Sequence, residues 1–281
     1  MIVTSESSAR FIAKSKLPKA PVQPRRSRSV AELQDKPPLE LRANEAQALV
    51  VGSGLVVAAE KVPLQVREDV INCVLFAQLV ATAEISDPSL VQDWYGAYFR
   101  ALTMLGWAQS DQRFESYDFS GQGVEAHKAV IPVLTALLGP QATALAVVGA
   151  MLKGLQEMHD NAPWLTLFEK QVRSEHSAAF QIATAEIDAD GLLQVALVAF
   201  DLKARAKLVQ LLFFKYTSTT TKLRFSAGRA TIFEAALAQQ RADLAARMAP
   251  YRASYVGNVK LPPLPAPKAL RSASKSLARK A

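Results

Sequence analysis

Ala178-Ala-Phe-Gln-Ile-Ala-Thr-Ala-Glu-Ile-Asp-Ala-Asp-Gly-Leu-Leu-Gln-Val-Ala-Leu-Val-Ala-Phe-Asp-Leu202 is the stretch on which the fold turns. Phe180, Ile182 and Thr184 alternate with Gln181, Ala183 and Ala185, the period of a strand rather than of a helix. Asp188-Ala-Asp-Gly191 supplies turn chemistry, and Leu193 to Leu202 continues with few polar interruptions. Leu208 to Tyr216 reads as a third strand. The Thr217–Thr221 cluster then turns into a fourth, Leu223-Arg-Phe225, with Lys222 and Arg224 pointing away from Leu223 and Phe225. Four consecutive strands with short connections predict an antiparallel meander covered on one face. A closing helix is expected over 232–255, with Phe233, Leu237, Leu244 and Met248 inward and Arg241, Asp243 and Arg247 outward.

Upstream, residues 44–173 read as helical. The charge-free stretch Ala46–Ala59 is included, although Gly52 and Gly54 weaken it as a helix. Val66–Ile85 contains the uncharged run Val70–Ala83 and reads as a buried helix around Cys73. For the next helix Asp87 serves as cap, Pro88 as first helical residue and Gly106 as terminator. Its inward face is Val91, Trp94, Tyr98, Ala101, Leu102 and Leu105. Residues 108–123 are a polar connection. The uncharged run Ala129–Leu152, divided by Gly139-Pro140 and kinked by Pro132, predicts a helical hairpin whose arms are too short to span a bilayer. Pro163 opens one more helix bearing Trp164, Leu167, Phe168 and Val172. The expected fold class is therefore α+β: an N-terminal multi-helix bundle over 43–176, then the four-stranded meander and closing C-terminal helix over 177–258, forming one domain with the bundle.

The ends differ from this body in charge. Of a formal net charge of +8 on 281 residues, residues 1–30 carry Arg10, Lys14, Lys16, Lys19, Arg25, Arg26 and Arg28 against Glu6 alone. Residues 259–281 carry Lys260, Lys268, Arg271, Lys275, Arg279 and Lys280 with no acid, so the middle is slightly acidic. Both ends are rich in Pro, Ser, Lys and Arg and cannot bury enough apolar surface to offset the entropy of ordering. Disordered basic arms over 1–42 and 259–281 are expected, with Arg25, Arg26, Arg28, Lys268, Arg271, Lys275, Arg279 and Lys280 available to grip a polyanion.

Half of the residues are apolar and 21% charged, which excludes a chain disordered throughout, and one cysteine excludes a disulfide scaffold. His127, His159 and His176 match no metal-ligand spacing. Gly52-Ser-Gly54 lacks the third glycine of a dinucleotide fingerprint, and Gly149–Gly154 has Leu155 where a phosphate loop needs Lys. Neither Ser53 nor Ser272-Ala-Ser-Lys275 has the setting of a nucleophile. Cys73, among Ile71, Val74, Leu75 and Phe76, reads as a buried thiol. Asp111, Glu115 and Asp118 are the only carboxylates whose neighbourhood suggests a site. No cofactor or metal is expected.

The composition supports a non-enzymatic binding or assembly module. Its partners would be an acidic protein, nucleic acid or an anionic membrane, met through the tails without regard to sequence, with self-association of the body as a further possibility. A pore-forming kind of protein, releasing the apolar stretches 46–59, 70–83 and 129–152 or the Leu208–Phe225 hairpin onto a bilayer, is the alternative. An enzyme with a dispersed carboxylate site is the third. No apolar segment follows the start, so a cytoplasmic protein, or one exported without a Sec-type signal peptide, is expected.

Overall fold

The computed structural model describes residues 5–21, 39–111, 131–132, 134–135, 143–157, 177–187, 190–203, 229–259 and 261. Five helices and seven strands occupy them: α1 (Ser5–Lys14), β1 (Gln47–Val51), β2 (Gly54–Ala58), α2 (Leu64–Glu84), α3 (Val91–Met104), β3 (Ala108–Asp111), α4 (Thr143–Glu157), β4 (Ser177–Ile187), β5 (Leu193–Lys203), β6 (Arg229–Thr231), α5 (Glu234–Tyr255) and β7 (Val256–Val259).

The α+β class stands, but the four-stranded meander does not. The strands form one seven-stranded mixed sheet in the order β3-β6-β5-β4-β2-β1-β7. β4 and β5 make the expected antiparallel hairpin, pairing without interruption from Ser177↔Lys203 to Ile187↔Leu193 around Gly191 at φ +80°. On its other side β4 runs parallel to β2. The third and fourth expected strands, 208–216 and 223–225, lie outside the described residues, as do the helix from Pro163 and the turn of the 129–152 hairpin.

The decisive correction concerns Ala46–Ala59, which is a β-hairpin and not a helix. β1 and β2 pair from Gln47↔Ala58 to Val51↔Gly54, leaving a two-residue turn, Gly52-Ser53. Gly52 sits first in that turn at φ +56°, a conformation that L side chains rarely adopt. The hairpin shows no polar alternation because both of its faces are covered. Leu49, Val51, Val56 and Ala58 face the layer of α2, α3 and α5, together with Ala183, Ala185, Leu197 and Ala199. On the opposite face lie Ala48, Val50, Leu55, Val57, Ile182 and Val198, all buried, and α4 packs there through Val147, Val148 and Met151. A continuous apolar run is what a strand buried on both faces requires.

The segment 108–123 also departs from a plain connection, since β3 pairs with β6. At α3 the inward face is as expected, with Tyr95, Ala97 and Phe99 added to it. Asp87 does not cap the helix. Its Oδ1 accepts from the Ser89 amide at 2.8 Å, forming a turn ahead of the true start at Val91. The C-terminus closes as the glycine predicts: the Gly106 amide donates to Thr103 O at 2.9 Å and the Trp107 amide to Leu102 O at 3.0 Å, with Gly106 at φ +84°. Gly106→Ala meets only ordinary contact with Ala236, so its cost is backbone strain. A loss of about 1–2 kcal/mol in urea unfolding is expected; no loss would remove the left-handed cap from the account of this helix.

In α5 the residues Leu237, Leu244 and Met248 point inward, but Phe233, expected beside them, is 78% exposed just ahead of the helix. Arg241 and Arg247 are half-buried because each has work on a neighbour. Arg241 donates through Nε and Nη2 to the buried Asp69 carboxylate at 2.8–3.1 Å, and Arg252 pairs with Glu68, joining α5 to α2.

Candidate functional site: a cationic groove on the docked N-terminal segment

Residues 5–21 fall within the arm expected to be unstructured, yet they are fixed to the body. Ser5-Glu-Ser-Ser-Ala-Arg-Phe-Ile-Ala-Lys14 places Ser8, Phe11, Ile12 and Ser15 at intervals of three and four, one face of a helix. Glu6 in the first turn and Lys14 in the last both suit the helix dipole. The inward face is used in full. Ile12 is buried in the main core, the Phe11 ring meets Phe76 of α2 edge-on at 5.8 Å, and Ser8 Oγ donates to Met104 O at 2.8 Å. Beyond the helix, Arg247 Nη2 donates to Ser15 O at 2.8 Å and Tyr251 OH to Pro18 O at 2.7 Å.

Docking that face turns the basic residues outward. Arg10, Lys14, Lys16 and Lys19 are all exposed. Beside them runs an open groove of about 620 Å³ lined by Ser7, Arg10, Phe11, Lys14, Ser15 and Met104, with Glu6 at its rim. Glu6 accepts from Arg10 Nη2 at 2.9 Å, both side chains being well exposed, so the pair is weak and exchangeable. No acidic side chain among the described residues pairs with Lys14. The groove therefore offers apolar surface from Phe11 and Met104 beside two exposed cations, Arg10 and Lys14, held on α1.

None of Arg25, Arg26, Arg28, Lys268, Arg271, Lys275, Arg279 and Lys280 lies among the described residues. The three histidines, Glu115 and Asp118 also lie outside; Asp111 ends β3. Among the described residues there is no cluster of His, Cys, Asp and Glu fit to hold a metal ion.

Other buried polar groups serve the fold. Ser53 Oγ donates to Gln181 Oε1 at 3.2 Å, and Gln78 on α2 spans the hairpin turn: its Oε1 accepts from the Ser53 amide at 3.1 Å and its Nε2 donates to Val51 O at 3.0 Å and Gln181 Oε1 at 3.1 Å. Gln181 Nε2 in turn reaches Tyr95 OH at 3.4 Å, and that hydroxyl donates to the carbonyls of β4 and β5. Arg67, fully buried, holds Val62 O, Ala59 O and Glu60 O at 2.9–3.0 Å; burial lowers its pKa, though a guanidinium remains charged. Cys73 is buried as expected, and desolvation pushes its thiol up to about 12, against a smaller opposing pull from Trp107. Such a thiol is no nucleophile at neutral pH.

The charge count alone flags Arg10 and Lys14, but not that they are fixed. The signal for docking was the 8-11-12-15 spacing, obscured by the Pro-rich sequence that follows. Among the described residues, no helix is long and apolar enough to cross a membrane.

No protein-family model matches this chain, and neither does any curated protein. Among solved structures, a delta-endotoxin and the Evf virulence factor are each similar over 77% of this chain and over 91% and 88% of their own, at 14% identity and a TM-score of 0.34, a likeness too loose to carry fold or activity across.

Proposed function

We propose that this chain is a non-enzymatic binding or assembly module whose basic surfaces engage an acidic or polyanionic partner. The observation that carries it is the docked N-terminal segment, which spends its apolar residues on the core and leaves Arg10, Lys14, Lys16 and Lys19 on a fixed outer surface. A rigid cationic strip loses less side-chain and backbone freedom on binding than a free arm does. Arg25, Arg26 and Arg28 on one side in sequence, and the basic residues of 259–281 at the other end, extend the same footprint in this reading.

Deleting residues 1–30 is a poor test, because Ile12 and Phe11 leave the core with them. Charge reversal is the clean one. The variant Arg10→Glu/Lys14→Glu/Lys16→Glu/Lys19→Glu is to be titrated against oligothymidylate, phosphatidylserine vesicles and an acidic peptide at several salt concentrations. Binding by the parent protein that weakens steeply with salt, and about tenfold or more loss in the variant, is expected. No binding to any of the three at low salt ends the proposal. Release of entrapped dye from the vesicles would put a membrane-active protein in its place.

A further inference from the structure

We infer that the groove beside α1 receives an acidic segment of another protein that carries an apolar anchor, with its carboxylates on Arg10 and Lys14 and the anchor over Phe11 and Met104. This rests on the binding-module reading and narrows it to one partner class. Arg10 and Lys14 lie one turn apart on a helix, so their Cβ atoms are ~5–6 Å apart, the interval at which acidic side chains recur on a partner helix. Between them the floor is apolar. Phe11 is half-buried against Phe76 and Met104 is half-buried at the end of α3. Methionine adapts its shape to varied apolar partners, so the floor does not demand one particular side chain.

Charge also favours a peptide over a phosphate strand. Glu6 shares the groove with the two cations, leaving a net of one positive charge. Binding of nucleic acid draws its affinity from many phosphates neutralised together, which this groove does not supply. A spaced carboxylate instead replaces Glu6 on Arg10 like for like, and Glu6, whose side chain is 82% exposed, turns to water. The rest of the attraction comes from covering Phe11 and Met104, a contribution that a uniform polyanion cannot make.

The test uses the full-length protein and fluorescence anisotropy. The probe is a labelled helical peptide of about 16 residues with Glu and Leu on one face, compared with the same peptide carrying Ser for Leu, and with oligothymidylate. The Leu peptide is expected to bind about tenfold or more tightly than the Ser peptide, and Arg10→Glu/Lys14→Glu to weaken it about tenfold. Lys16→Glu/Lys19→Glu, on the same strip but outside the groove, weakens it by a smaller factor, and a loss as large as that from Arg10→Glu/Lys14→Glu overturns the inference. All four positions are exposed, so the variants keep the fold, checked by circular dichroism. Equal binding of the Leu and Ser peptides, or indifference to the Arg10/Lys14 reversal, overturns the inference. Oligothymidylate binding without peptide binding overturns it while the broader proposal stands; binding of no probe overturns it too, and removes the broader proposal as well only if phosphatidylserine vesicles also fail to bind.

Discussion

Gly52→Ala is expected to cost the protein about 4 kcal/mol or more, read from urea unfolding followed by tryptophan fluorescence. Two causes add. Gly52 holds φ +56°, where a Cβ costs about 1–2 kcal/mol. The new Cβ would also lie 2.0 Å from Gln78 Oε1, a separation no real structure keeps. Gln78 must then leave, and with it the hydrogen bonds to the Ser53 amide, Val51 O and Gln181 Oε1, all inside the core. Each buried group left without a partner costs about 1–3 kcal/mol. A double-mutant cycle separates the two causes. In a Gln78→Ala background the clash vanishes, so Gly52→Ala should there cost only the backbone strain, about 1–2 kcal/mol. Equal costs in both backgrounds would mean that Gln78 does not hold the turn.

That hairpin shows why some of the fold was legible in the sequence and some was not. β4 and β5 announce themselves through a period of two and a glycine turn, both local properties of the chain. β1 and β2 do not, because α4 covers one face and α2 with α3 the other, which removes the polar half of the alternation. An uncharged run with small residues then looks the same whether it is helix or strand. The parallel pairing of β2 with β4 is invisible for another reason: its partners are more than a hundred residues apart, and nothing local records which edge a strand chooses. Gln78 and Gln181 did leave a trace, as isolated amides in otherwise apolar stretches. Their explanation lies across the core, where one spans the Gly52-Ser53 turn and the other joins it to Tyr95.

The candidate site follows the same division. The excess of cations near the N-terminus needs only counting, whereas its docking depends on Met104 O, Arg247 and Tyr251, which lie more than ninety residues away. Composition gave the whole of 1–30 one character, a basic arm. Packing splits it, because Phe11 and Ile12 gain more from the core than the helix loses in chain freedom. In the proposed function, Arg10 and Lys14 then present charge at a fixed interval on a surface rather than on a free tail.

Raising the pH above 9 should unfold the protein progressively, through groups that the fold keeps neutral. The Cys73 thiol ionises near 9.0 when exposed and only at about 12 when buried, so the unfolded chain releases a proton that the folded one retains. The stabilisation from keeping this thiol protonated is complete below pH 9 and is lost as pH rises from there through 12. The slope is about 1.4 kcal/mol per pH unit, so the loss approaches about 4 kcal/mol. Tyr98, fully buried beside Tyr95 and Cys73, is also raised well above its ordinary value of 10.0 by desolvation, and its contribution disappears with the same sign from pH 10 upward. The half-buried Tyr255 shifts in the same direction. The window between pH 9 and 10 thus belongs to Cys73 alone among these groups. Comparing urea unfolding of the parent protein and Cys73→Ala at pH 8 and pH 10 isolates it: the parent should lose about 1 kcal/mol more than the variant across that interval. A maleimide should likewise leave the native thiol unmodified at pH 8 and label it once urea opens the core. Identical pH slopes for the two proteins, or labelling of the native thiol, would show that Cys73 sits in water rather than beneath Trp107, and the packing of α2 against α3 would have to be redrawn.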